Sequence, residues 1–169
     1  MSINLQQIRL RHDAVWVPMN QVSSGAWSAD LQFLATEYLN GCTAVAIVSE
    51  YGGILAHIAP RTSTTTGDQN VRDLMTQVVH HFTTGRNAGL FPSATAVVLA
   101  AVYENEIALP DAVEFIRRVL ERLDLPIRYQ KYRVRRQGEA RVSGETSFVL
   151  HGRRGMRPGL YVNGTQLHR

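Results

Sequence analysis

The run Ala94–Val102, apolar except for Thr95 and rich in valine, leaves few architectures open. It is too short for a membrane helix, and it has the length and β-branched content of a strand buried on both faces. Such a strand needs a packed layer above and below it. Two periodic stretches can supply a layer. Val71, Leu74, Met75, Val78, Val79 and Phe82 recur at the i, i+3, i+4, i+7 spacing of an amphipathic helix that follows Gly67-Asp68 and ends near Gly85. Val113, Ile116, Val119, Leu120 and Leu123 line one face of a second helix. Pro110 suits its first turn, Asp111 and Glu114 suit its positive end, and Pro126 helps to stop it.

The remaining apolar segments are short and read as strands. Val15–Val17 and Phe33–Leu34 are separated by Val22–Ala29, whose serines and glycine mark a loop. Cys42–Val48 follows Asn40-Gly41, and Tyr51-Gly52-Gly53 joins it to Ile54–Ile58, which predicts a hairpin. Thr62–Thr66 is a hydroxyl-rich loop. Ile127–Val134 alternates apolar or aromatic with basic residues, and Thr146–Leu150 and Leu160–Val162 are further strands with glycine turns between them. No repeat, low-complexity tract or linker divides the chain. The expectation is one α/β domain over 1–169, in the α+β sense: a mixed, largely antiparallel β-sheet structure flanked by two main helices.

At 169 residues and 44% hydrophobic content, such a domain buries enough surface to fold without disulfides. Cys42 is the only cysteine, which fits a reducing compartment and a cytoplasmic protein. Met1–Arg11 is polar, without the apolar core of a signal peptide, so no membrane partner is expected. The net charge of +4 is uneven, with Arg128, Lys131, Arg133, Arg135, Arg136, Arg141, Arg153, Arg154 and Arg157 gathered towards the C-terminus. That field suits an acidic protein surface or a phosphate backbone, and it equally describes a solvated strand face.

Of the six histidines, His12, His151 and His168 lie among polar residues, and His80 and His81 sit on or beside a helix face. Adjacent helical histidines point about 100° apart and cannot share an ion unaided, so a metal site is not expected. Cys42 and His57 differ. Cys42 begins a strand just after Asn40-Gly41, where a turn can aim the Gly41 and Cys42 backbone N–H groups at a carbonyl oxygen. His57 lies near the end of the partner strand, so antiparallel pairing can return its imidazole to the thiol. The same two residues also fit a plain core: a small buried thiol and a histidine satisfied locally.

The segment Thr36-Glu37-Tyr38-Leu39-Asn40-Gly41-Cys42, then a strand, a Gly-Gly turn and Ala56-His57-Ile58-Ala59-Pro60, resembles the active-site region of the bacterial glutamine deamidases. That group joins the chemoreceptor glutamine deamidases to the catalytic domains of cytotoxic necrotizing factor toxins. Its pattern is a Gly-Cys pair after Leu-Gly-Ser or Leu-Ser, a histidine a little over a dozen residues later and, in several members, a threonine six residues before the cysteine. Leu39, Gly41, Cys42, His57 and Thr36 fall on those places, and Asn40 departs from the usual small residue or serine.

The resemblance implies a deamidase-like layered sandwich and a hydrolase with a catalytic triad of Cys42 as nucleophile, His57 as acid and base, and Thr36 orienting the imidazole. The substrate would be an exposed glutamine on a partner protein, with no metal or organic cofactor required. Asn40, Ser63 and Thr64 are candidates for the cleft rim. An amine in place of water would make the same site a transglutaminase, and a backbone amide as substrate would make it a protease. Two other classes stay open. One is a non-catalytic basic module holding nucleic acid or an acidic protein through Tyr129, Tyr132 and the surrounding Arg128, Lys131, Arg133, Arg135 and Arg136. The other is a degenerate scaffold of the same fold. Nothing in the sequence sets the oligomeric state.

Overall fold

Side-chain parity along one hairpin sets the layering of the molecule. The structure, a computed structural model, describes residues 2–60, 67–135, 138–139 and 146–168. In β4 (Thr43–Val48) and β5 (Gly52–Ile58) every residue is buried, as in strands covered on both faces. Val45, Ile47, Ile54, Ala56 and Ile58 belong to one core, whereas Ala44, Ala46, Val48 and Leu55 belong to another. Successive strand residues point to opposite faces, so one hairpin feeds both cores. Each fully buried valine, leucine or isoleucine contributes about 1.5–3 kcal/mol.

The first core is closed by α2 (Gly67–Asn87) and α3 (Pro110–Arg122). The second is closed by another sheet. The hairpin sheet runs β2 (Gln21–Ala26), β5, β4, β6 (Thr95–Tyr103), with β7 (Glu106–Ile107) and β8 (Ile127–Arg133) both paired to β6. The second sheet runs β1 (Ala14–Trp16), β3 (Phe33–Thr36), β9 (Phe148–Arg153), β10 (Met156–Val162), β11 (Thr165–Gln166). Pairing is antiparallel throughout except for β1 with β3 and β6 with β8. The far face of the second sheet is covered by α1 (Leu5–Arg9), whose Ile8 packs with Phe33, Ala35, Val149 and Tyr161. The order of layers is therefore helices, sheet, sheet and a short helix, a mixed α+β fold of largely antiparallel sheets flanked by two main helices. Among the described residues no helix is long and apolar enough to cross a membrane.

Trp27 sets the spacing between the sheets. Its ring is buried between Gly53 of β5 and Gly152 of β9, where an added Cβ would lie 2.5 Å and 2.0 Å from ring carbons. No side chain larger than hydrogen fits at either position without moving the ring. Its indole N–H donates to the Ser49 carbonyl at 3.0 Å, so the one polar atom of the wedge is satisfied.

Two expectations change. Val22–Ala29 is not a loop throughout: Gln21–Ala26 forms β2, an edge strand paired along its length with β5. Small polar residues give it no hydrophobic signature, and the β5 backbone supplies the hydrogen bonds that hold it. Strands also begin and end elsewhere, with β9 starting at Phe148 rather than Thr146 and β10 at Met156 rather than Leu160. The loop expected over Thr62–Thr66 lies outside the described residues.

Candidate functional site

Three strand ends meet at one end of the inter-sheet core. His57 is the next-to-last residue of β5 and pairs with Ala44 of β4. It shares the parity of Leu55, so its ring enters the space between the sheets, where it is 2% exposed. Cys42 lies two residues before Ala44 and belongs to the same inter-sheet core. Continuing the β4 register one residue past Thr43 makes it the diagonal neighbour of His57 across the hairpin, a relation with a spacing of about 7–8 Å or less. Thr36 ends β3 on the facing sheet, with the parity of Leu34, and is fully buried.

The hydrogen bonds fix the imidazole tautomer. Thr36 donates its hydroxyl proton to the Val17 carbonyl at 2.7 Å. A hydroxyl has one proton, so the 2.7 Å contact between Thr36 Oγ1 and His57 Nδ1 carries the Nδ1 proton towards the threonine. The proton of the neutral ring therefore sits on Nδ1, and Nε2 keeps its lone pair. Nε2 is buried without a hydrogen-bond partner. A buried, unpartnered nitrogen is costly in a folded core and calls for an explanation; Trp16 Nε1 and Ser147 Oγ are in the same state, but only His57 Nε2 is a base on the face of the single thiol.

Burial also sets the resting protonation state. It pushes the His57 pKa down to about 4, so the ring is neutral at pH 7. Burial raises the Cys42 thiol, and a backbone hydrogen bond at Asn40 opposes it only in part. The resting pair is thus a thiol and a neutral imidazole with no hydrogen bond between them. A preformed thiolate–imidazolium pair is not what this structure contains. Catalytic hydrogen bonds are often long before substrate arrives, and a polar substrate that fills the gap changes the desolvation of both groups.

The turn that presents Cys42 is held by a residue the sequence reading had placed elsewhere. Tyr132 reaches across from β8, accepts the Gly41 N–H at 2.9 Å and donates its hydroxyl to the Cys42 carbonyl at 2.6 Å. Burial raises the phenol, so it stays protonated and keeps that donor. Gly41 has φ of 103°, a conformation that favours glycine. Asn40 is exposed, and its side-chain oxygen accepts the Arg135 N–H at 2.7 Å, tying the turn to the segment after β8. The Gly41 N–H, expected to face an oxyanion, is engaged by Tyr132 in this structure. Ser63 and Thr64 lie outside the described residues, so of the expected rim only Asn40 is placed.

A second network holds the exit of β5. The Asn20 N–H donates to the His57 carbonyl at 2.6 Å, and its side-chain oxygen accepts from the Ala59 N–H and from Asn70 Nδ2, both at 3.0 Å. Asn70 Nδ2 also donates to the Ala59 carbonyl at 2.8 Å. These two asparagines were not picked out from sequence. The available signal was Asn70 at the start of the apolar stripe of α2, four residues before Leu74.

The basic face is also rearranged. Tyr129 and Tyr132 are three residues apart on one strand and therefore face opposite sides: Tyr129 is exposed, whereas Tyr132 is buried at the Cys42 turn. A base cannot stack on Tyr132. Arg133 pairs with Glu139 at 2.8 Å, and Arg136 and Arg141 lie outside the described residues. Among the described residues no three His, Cys, Asp or Glu side chains gather closely enough to hold a metal ion.

No protein-family model matches this sequence, and no curated protein is similar enough to count as a relative. The functional reading therefore rests on the geometry of the site and on its local sequence pattern.

Proposed function

We propose that this protein is a cysteine-dependent amidohydrolase that deamidates a glutamine side chain on a partner protein. The observation that carries this reading is the unpartnered His57 Nε2, its lone pair assigned by the Thr36–Nδ1 hydrogen bond, on the same inter-sheet face as the single thiol. The resemblance of Gly41-Cys42 and His57 to the glutamine deamidases supports the choice of reaction.

In this mechanism the Cys42 proton passes to His57 Nε2 as Sγ attacks the carboxamide carbon. The Cys42 N–H, rather than that of Gly41, is the backbone donor for the oxyanion. The imidazolium returns its proton to the departing nitrogen, the C–N bond breaks, and ammonia leaves a thioester. Water then gives a proton to Nε2 and its oxygen to the acyl carbon. The C–S bond breaks, the thiol recovers its proton, and the product is glutamate. Thr36 is a positioning residue that acts on the reaction through His57.

The test is ammonia release from a glutamine-rich unfolded protein such as casein, with peptide mass spectrometry to locate each converted glutamine. Release by wild type that is lost in Cys42→Ser and His57→Ala supports the reading. Incorporation of an added primary amine in place of hydrolysis would make the protein a transglutaminase, and peptide-bond cleavage would make it a protease. No thiol-dependent conversion at all would leave the site a structural core.

A further inference from the structure

A second site lies at the other end of the inter-sheet space and stands independently of the proposed chemistry. A cavity of about 690 Å³ opens beyond Val48, the last residue of β4. Cys42 precedes the first residue of that strand, so the strand length separates the two sites by about 20 Å. The size is that of a small-molecule pocket. Its apolar side is formed by Val48, Val97 and Leu160, all packed in or against the inter-sheet core.

Each sheet contributes one arginine. Arg128 pairs in parallel register with Val97, which faces the second sheet, so Arg128 points to that side as well. It is half-buried. Arg157 lines the rim from β10, beside the irregularity in its pairing with β9, and is exposed. Among the described residues neither guanidinium forms an ion pair, although Glu50 lines the same cavity. The Arg128 guanidinium gives up part of its hydration between the two sheets and recovers the loss on meeting an anion, and the planar fork of either arginine matches a carboxylate or phosphate. The partner is then the ligand.

We infer that this cavity binds a small amphipathic acid, its apolar body against Leu160, Leu167 and the edge of Val48, with Val97 directly beneath, and its anionic head between Arg128 and Arg157. Such a ligand spans both sheets and stabilises the sandwich by mass action.

Three probes of similar shape test this: phenylacetate, phenyl phosphate and the neutral phenylacetamide, titrated while methyl NMR shifts of Val48, Val97 and Leu160 and the thermal midpoint are followed. The expected result is saturable shifts at those methyls and a raised midpoint with at least one acid. Whichever acid binds more tightly identifies the head group as carboxylate or phosphate. The amide should bind about tenfold more weakly, and Arg128→Gln and Arg157→Gln should each weaken the acid about tenfold. Cys42→Ser should leave acid binding unchanged. Equal binding of the amide, retention of full affinity in both arginine variants, or no methyl shift with either acid up to about 10 mM would overturn the inference.

Discussion

Thr36 accepts the His57 Nδ1 proton because its own hydroxyl proton is already given to the Val17 carbonyl, both contacts being 2.7 Å. One side chain thus links the two sheets and chooses the ring nitrogen that remains a base. An isolated Cys–His diagonal would leave the tautomer to solvent.

Thr36→Val keeps the shape and removes the acceptor. Under the proposed function it should lower the rate of ammonia release by about tenfold or more, because the Nδ1 partner sets the tautomer and orientation of the ring. Leaving the Nδ1 proton and the Val17 carbonyl unpaired should cost about 1–3 kcal/mol in urea denaturation. Thr36→Ser should restore most of the rate. A valine variant of unchanged rate would remove Thr36 from the site.

His57 also makes stability depend on pH. Its folded pKa is pushed down to about 4, below the unfolded value near 6.5, so the unfolded chain binds more protons across that interval. The resulting stabilisation is fully present above pH 6.5 and is lost as pH falls through about 4, by roughly 3 kcal/mol in all. His81 and His151 are shifted the same way, so the wild-type slope alone does not isolate His57. Denaturation of wild type and His57→Leu between pH 4 and 7.5 should show a shallower slope in the variant. Parallel slopes would mean that the ring is already solvated in the folded state.

The sequence reading located Cys42 and His57 because their placement depends on a hairpin, whose turn residues and apolar runs are local. Ala94–Val102 announced its burial on both faces and is observed as β6, between β4 and β8. What local pattern could not show is the division into two sheets. That depends on Phe33–Thr36 finding Phe148–His151, more than a hundred residues away. The contact of Thr36 with His57 follows from this pairing, and only the family resemblance hinted at it. Tyr132 was legible in principle: strand parity separates it from Tyr129, and a buried tyrosine needs a partner for its hydroxyl.

The resting thiol should be sluggish. Burial raises the Cys42 pKa and His57 supplies no charge in the free protein, so alkylation by iodoacetamide should climb with pH along a curve displaced above that of a free thiol. Iodoacetate should react more slowly still, because it carries a charge into a dry site. A thiol already reactive at pH 6 would contradict the neutral pair described here.

Tyr132→Phe tests the turn rather than the base. The phenol satisfies the Gly41 N–H and the Cys42 carbonyl at once, so its removal leaves two backbone groups without their partner at the turn that carries the proposed nucleophile, Cys42. The cost should be about 1–3 kcal/mol in stability, with faster hydrogen exchange at the Gly41 amide. The freed amide also becomes available to an oxyanion. If a loosened turn dominates, the rate falls about tenfold or more with a constant pH profile, since His57 is untouched. If the extra donor dominates, the rate rises instead. Either change would place Tyr132 in control of the Cys42 turn, whereas an unchanged rate with the stability cost intact would confine it to holding the fold.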